Sequence, residues 1–270
     1  MEGIERMNLS KEQTLFLKKQ KRTTYLTHAV RIGVLVLLLG IWEIAADLSW
    51  VNPFITSSPS RIFRCTCDLA KNGNLLYHVG TTLWETLTGF ALAVLLGFIL
   101  ALLLWWSDFF RRIAEPYLIV LNALPKIALG PLIIIWCGTG SRAIVLMTVL
   151  VSLIVAVMNL ANGFLATDAG KIKLLESMRA TKAQILFKLV FPSSLPSVFS
   201  MLKLCVGMAW IGSVMGEYMV SKAGLGYLIV YGGQVFKLDL VMSATVLLCL
   251  LAGIMYALVA LLEKILVKRY

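Results

Sequence analysis

The chain has 270 residues, is 59% hydrophobic with a mean hydropathy of +0.86, and carries charge on only 14% of its positions. That apolar fraction excludes a soluble globular class and predicts an all-α polytopic membrane protein. In such a chain the net charge of +11 reflects cations kept on one side of a membrane and does not call for nucleic acid as a partner.

Residues 1–25 are polar and basic, with Leu15, Phe16 and Leu17 beside Lys18, Lys19, Lys21 and Arg22. Two readings stay open for this cytoplasmic segment: a surface helix lying on inner-leaflet lipid, or a solvated basic anchor. The first apolar run begins only near residue 26, so a cleavable signal is not expected. A helix needs roughly 20 apolar residues to cross the hydrocarbon core. Six stretches between 26 and 270 qualify: about 26–48, 81–106, 116–137, 143–162, 197–219 and 240–262, the third interrupted by Pro125 and Pro131. Residues 26–270 are therefore expected to form one six-span domain. After the first span, Ser58-Pro59 reads as a helix start and Asn72-Gly73 as a stop, which predicts a short external helix over 59–71. The five cysteines lack metal-ligand spacing and read as small apolar residues.

Charge orients the spans. With the amino terminus inside, the segments 1–31, 107–115, 163–196 and 263–270 hold 17 Lys and Arg, against six in the segments 49–80, 138–142 and 220–239. Both termini are thus expected in the cytoplasm, together with residues 163–196.

That last segment is charged and proline-punctuated: RATKAQILFKLVFPSSLPSVF occupies residues 179–199. Asp168 to Met178 suits a short helix with Ile172, Leu174, Leu175 and Met178 as its apolar side. Thr181 and Gln184 fit a capping box that starts a second helix, and Pro192 and Pro196 are expected to end it. The segment 168–196 therefore reads as a helical hairpin turning at Arg179–Thr181. It has too little core to stand alone, and either lies along the membrane surface or plugs into a soluble partner.

Ala180, Thr181, Lys182, Ala183, Gln184 and Ile185, followed by Phe191-Pro192 and Leu195-Pro196, resemble the cytoplasmic loop of the permease subunits of binding-protein-dependent ABC importers. NALPKIALGPLIIIWCGTG (122–140) and GEYMVSKAGLGYLI (216–229) look like two further signatures of that family. The resemblance covers about residues 30–265 and leans to the nitrate, taurine and aliphatic-sulfonate branch. Two positions depart from it: Lys173-Leu174-Leu175 replaces the family's Glu-Ala-Ala, and Arg179 stands where the turn glycine is expected.

The resemblance implies a type I importer permease in the bacterial inner membrane, paired with a second permease copy. It also implies a dimer of ABC ATPase subunits below and an extracytoplasmic solute-binding protein above. ATP and magnesium would be bound by the ATPase, with no cofactor in this chain. Residues Glu176, Ser177, Met178, Arg179, Ala180, Thr181, Lys182, Ala183, Gln184 and Ile185 would form the coupling helix region. There Met178 and Ile185 would supply apolar contact, and Arg179 and Lys182 would face ATPase carboxylates or, alternatively, lipid phosphates. The cargo would be a sulfonate, taurine or nitrate, with a thiamine or riboflavin precursor as the alternative. A stand-alone channel or carrier is the more distant rival, and it would need no docking hairpin.

Polar groups inside spans are candidates for the translocation path or gate. Lys126 beside Pro125 could serve an anionic cargo or pair with Glu85 or Glu43. Asn122, Asn159 and Ser213 either line the path or bond between helices. Glu217 matches the family's glutamate and is expected to cap or brace an outer gate, where Gly224 and Gly226 permit a tight turn. The sequence contains no Walker A motif and no acidic cluster for a metal, so catalysis is not expected of this chain.

Overall fold

A computed structural model describes residues 11–71 and 74–267. The described residues are helical, with no strand among them, and divide into two compact units, residues 1–63 and 64–270.

In the first unit, α1 (Lys11–Asp47) is one helix that runs from the basic segment through the first apolar stretch. Residues 1–10 of the expected basic segment lie outside the described residues. From Val34 to Leu38 every side chain of α1 is more than half exposed, the pattern of a helix that is apolar all round and meets lipid. A short turn, α2 (Pro53–Thr56), follows, and α3 (Pro59–Lys71) begins at the proline expected to start it. Proline is tolerated at that first position because its missing N–H would have had no helical partner. Glu43 reaches back from α1 and accepts from the Ser60 N–H at 3.0 Å, tying α1 to the α3 start.

The second unit contains α4 (Asn74–Trp106), α5 (Asp108–Ala123), a 3-10 turn (Lys126–Leu129), α6 (Gly130–Cys137) and α7 (Ser141–Leu165). Next come α8 (Ala169–Ser177), α9 (Lys182–Ile185), a π-helical turn (Leu186–Val190), α10 (Phe191–Val220), α11 (Leu225–Gln234) and α12 (Leu238–Val267). Five of the described helical stretches are long and apolar enough to cross a membrane, or six if α5 and the segment Lys126–Cys137 count as one span.

That sixth candidate differs from a straight crossing. The stretch expected as a third span bends by 87° between Ala123 and Lys126. Leu124 precedes Pro125, whose ring bars it from the helical region, and it adopts an extended ψ of 137°.

The prolines expected to end the second hairpin helix do not end it. Lys182–Val220 is a continuous 39-residue helical stretch, roughly 58 Å long at 1.5 Å per residue. The reason lies one turn earlier. The Phe191 N–H bonds to Leu186 O across the π-helical turn, and this wider register gives the Pro192 ring room that a regular helix denies it; Pro196 lies one turn further on, inside α10.

The centre of the second unit is α4, α7 and α10, packed through small residues. A Cβ at Gly97 would lie 2.6 Å from Ala156 Cβ, and one at Gly212 would lie 2.7 Å from Thr148 Cα and 3.3 Å from Met147 O. At Gly89 the Thr148 side chain occupies the same space. Thr86 on α4 donates to Ser213 on α10 at 2.7 Å, a buried interhelical hydrogen bond. Lys203 and Glu263 join α10 to α12 through an ion pair of 2.5 Å.

Gly212→Ala is expected to destabilise the fold by about 1–3 kcal/mol, because the atoms in its way are backbone and cannot turn aside. Gly207→Ala, where a Cβ meets nothing within 4 Å, should be near neutral. Thermal unfolding of the detergent-solubilised protein checks the pair.

Candidate functional site

Two places in the second unit concentrate polar groups: the hairpin at one end of the α4–α7–α10 bundle, and the ends of the same helices opposite it.

The hairpin begins at Asp168, whose carboxylate caps α8 by accepting from Gly170 N–H at 2.7 Å and Lys171 N–H at 3.4 Å. It turns at Arg179, which adopts the left-handed conformation (φ 57°) that glycine accepts freely. The turn is built without altering its plan: Arg179 N–H bonds Glu176 O at 2.9 Å and Ala180 N–H bonds Leu175 O at 3.0 Å. Both halves of the capping box then form, with Gln184 N–H on the Thr181 hydroxyl at 3.3 Å and Thr181 N–H on Gln184 Oε1 at 2.8 Å.

One side of this hairpin is fixed to the bundle. Ile185, Leu186 and Val190 are buried in one cluster with Ala101 and Leu104 of α4, Phe164 of α7 and Met201 of α10, and Ile172, Leu175 and Ala180 pack against it. Ile185 is 3% exposed, so it does not offer the surface contact expected of it; its place in the register turns it onto the bundle. Lys182 is also drawn inward, its ammonium donating to Trp106 O, the last carbonyl of α4, at 3.4 Å, where a cation suits the helix dipole. The opposite face stays open. Leu174 is 61% exposed, Met178 71% and Phe187 70%, with Glu176, Ser177, Arg179 and Ala183 also exposed around them. Phe187 was not singled out from the sequence, because the π-helical turn that presents it leaves no mark on regular periodicity.

At the far end, Gly224, with φ of 111°, caps the start of α11. The first three amides there are each taken by a side chain from another helix. Gly224 N–H donates to His78 Nδ1 at 3.0 Å, Leu225 N–H to Thr82 Oγ1 at 2.8 Å, and Gly226 N–H to Glu217 Oε2 at 2.5 Å. A helix start carries amides with no partner in its own helix, and here α4 and α10 supply the partners jointly. The His78 ring also stacks on Tyr227 with centroids 6.1 Å apart. Gly224 and Gly226 serve close approach, since a Cβ at either would strike the Glu217 side chain. Glu217 holds this corner through the Gly226 amide, and His78 and Thr82, spaced four apart on one face of α4, complete it.

Beside that corner lies a cavity of about 750 Å³, bordered by Tyr77, Thr81, Trp84 and Glu85 of α4, Ser141 of α7 and Lys222 after α10. The four α4 positions follow i, i+4, i+7, i+8 and so share one face. Glu85 is 1% exposed, and its carboxyl hydrogen-bonds with Ser141 and with the Glu217 carboxyl. The Glu217 carboxyl, also 1% exposed, is its partner in that pair and bonds Thr82 as well. An ionisable residue within an apolar stretch was the available signal for Glu85.

The other path candidates do not gather at this cavity. Lys126 begins the 3-10 turn after Pro125 and donates to Asn122 O at 3.2 Å and Asn122 Oδ1 at 3.5 Å. Asn159 donates to Val155 O in its own helix at 2.8 Å. Ser213 is spent on the interhelical bond with Thr86.

Residues 93–270 match a family described as the binding-protein-dependent transport system inner membrane component. The chain is 34% identical over 192 residues to the formylaminopyrimidine transport permease protein of Halalkalibacterium halodurans, covering 71% of this chain and 76% of that protein. It is 26% identical over 231 residues to a putative aliphatic sulfonates transport permease protein of Bacillus subtilis, covering 86% and 84%. An inward-facing structure of the MetNI methionine ABC transporter superposes with a TM-score of 0.60 at 19% identity, covering 69% of this chain and 95% of that one.

Thr82→Val would leave the buried Leu225 N–H without an acceptor, at a cost of about 1–3 kcal/mol. The expected result is amide exchange about 5- to 150-fold faster at residues 224–226, read by hydrogen–deuterium exchange. Arg179→Gly should raise stability by about 1 kcal/mol by removing left-handed strain, read by thermal unfolding.

Proposed function

The chain belongs to the binding-protein-dependent transport system inner membrane component family, and from that premise we propose how this multi-pass inner-membrane permease subunit of an ABC importer is coupled and what it carries. The hairpin 168–196 faces the cytoplasm together with both termini, and its exposed face seats on an ATPase subunit. Two permease copies enclose the path, two ATPase subunits bind below, and a solute-binding protein delivers cargo at the α11 end. ATP and magnesium belong to the ATPase on this reading, and hydrolysis is its work. The basic end of α1, from Lys11, leads directly into the first span and would sit on the cytoplasmic side, on inner-leaflet lipid or solvated.

One observation carries the coupling role. The hairpin is locked to the bundle by Ile185, Leu186 and Val190 on one face and presents Leu174, Met178 and Arg179 on the other. Its second arm runs without a break into the 39-residue stretch Lys182–Val220. A push on the hairpin is therefore a push on a span, with no flexible joint to absorb it. The far end of that stretch holds Glu217, and Glu217 holds α11. Such rigid connection between two sites is what a switch between inward and outward access requires.

For cargo, the family branch supports a small sulfonate, taurine or nitrate. A second reading, a thiamine or riboflavin precursor, is favoured by the higher identity to the formylaminopyrimidine permease than to the aliphatic sulfonates permease.

Leu174→Asp with Met178→Asp places two charges on the exposed face without touching the core. The expected result is loss of ATPase co-purification and of ATP-driven uptake in proteoliposomes, at an unchanged unfolding temperature. Retained uptake together with retained ATPase recovery would sink the coupling reading.

A further inference from the structure

We propose that Glu85 and Glu217 hold one proton between them, and that this proton is a latch: it ties α4 to α10 and so keeps the start of α11 in place. The device goes beyond the importer reading above and does not depend on it.

Both carboxyls are 1% exposed, and they hydrogen-bond to each other from α4 and α10. An ionised carboxylate only accepts, so a hydrogen bond between two carboxyls requires one of them to carry a proton. Two charged carboxylates side by side in an apolar bundle repel, and such a pair titrates as a unit. The surroundings support one negative charge. Glu217 accepts the Gly226 N–H and bonds Thr82, while Glu85 has the Ser141 hydroxyl besides its partner. Ser141 is exposed at the border of the cavity, which gives the buried proton a way to exchange with solvent.

No cation takes the place of the proton. Neither carboxyl forms an ion pair among the described residues. The titratable groups around the corner are Tyr77 and His78 on α4, Tyr218 beside Glu217 on α10, and Tyr227 on α11. His78 accepts the Gly224 N–H through Nδ1, so that nitrogen carries no proton. Arg142 follows Ser141 on α7 and Lys222 borders the cavity, and both are exposed.

Loss of the proton turns a bond between α4 and α10 into repulsion. These two helices share the amides at the start of α11: His78 and Thr82 hold those of Gly224 and Leu225, and Glu217 holds that of Gly226. When α4 and α10 part, at least one of the three loses its acceptor. Glu85→Gln keeps an N–H donor for Glu217 with no proton to lose, so it holds the latch shut as pH rises.

The test uses the full-length protein in lipid nanodiscs. At about pH 7, where exposed carboxyls are ionised, infrared spectroscopy should show a protonated-carboxyl C=O band that Glu85→Gln removes. Hydrogen–deuterium exchange at residues 224–226, corrected for the intrinsic pH dependence of exchange, should be at least about 5-fold faster at about pH 9 than at about pH 7, a range between the ordinary histidine and tyrosine values. The amides around Thr148 on α7 should stay protected throughout, and Glu85→Gln should show no acceleration at 224–226. Absence of the band, a band that Glu85→Gln leaves in place, exchange at 224–226 that does not respond to pH, or an equal response around Thr148 overturns the proposal. The band and the exchange profile of the unmodified protein need no variant, so a folding defect in Glu85→Gln does not blunt them. Loss of ATPase association strikes the importer reading and leaves both readouts as they are.

Discussion

The second unit depends on three helices approaching closer than ordinary side chains allow. Between lipid-facing helices there is no hydrophobic drive to associate, since lipid is as apolar as leucine; contact must come from close packing and from polar bonds between helices. Thr148 on α7 is the meeting point, with Gly89 of α4 against its side chain and Gly212 of α10 against its Cα. Gly97 against Ala156 repeats the device nearer the hairpin, as does Gly163 against Ser197. The Thr148 hydroxyl is kept from asking for more by bonding Ile144 O in its own helix at 2.9 Å. The result is a block whose helices have little room to slide independently.

Rigidity of that block gives the two ends something to act through. At the hairpin end, burying Ile185, Leu186 and Val190 contributes about 1.5–3 kcal/mol each where they leave water, while the face carrying Met178 remains open. Across the block, the π-helical turn lets Pro192 sit inside one long helical stretch that also contains Pro196. A kink there would have made the hairpin a loosely tethered loop. Ser193 and Ser194 bond back to Val190 O and Phe191 O at 3.0 and 3.1 Å, so this proline-rich junction buries no idle hydroxyl. The bend before Lys126 shows the opposite use of proline: without a compensating turn, Pro125 redirects the chain by 87°.

Much of this was legible in the sequence because it is local. The Ser58-Pro59 start, the Thr181–Gln184 capping box and the long apolar runs depend on neighbours within a few residues. Arg179 was legible as an anomaly, since a turn that wants glycine forces a left-handed residue wherever another stands. What escaped reading depends on partners far along the chain. Ile185 faces the bundle because α4 and α7 lie there, and no periodicity within the hairpin reports that. Pro192 and Pro196 looked like helix ends because their rings strain a regular helix, and the register change that admits Pro192 has no sequence code of its own. Glu85 was visible only as a possible partner for Lys126, whereas the fold places it beside Glu217, 132 positions away.

That pairing sets two buried carboxyls side by side in an apolar bundle. Buried ionisable groups in an apolar bundle are retained only where something holds them or uses them. Glu217 is held by the Gly226 amide, and its neighbours on that corner, His78 and Thr82, belong to the same helix as Glu85. The first three amides of α11 are therefore divided between α4, which holds two, and α10, which holds one. These bonds constrain how the corner can move. If α4 and α10 shift together, all three bonds persist and α11 travels with them. If they shift apart, α11 cannot follow both, and at least one buried amide loses its acceptor. Glu85 stands on the helix that holds two of the three, on the face next to the cavity. Whatever occupies the cavity therefore touches the helix whose position decides whether α11 stays in place.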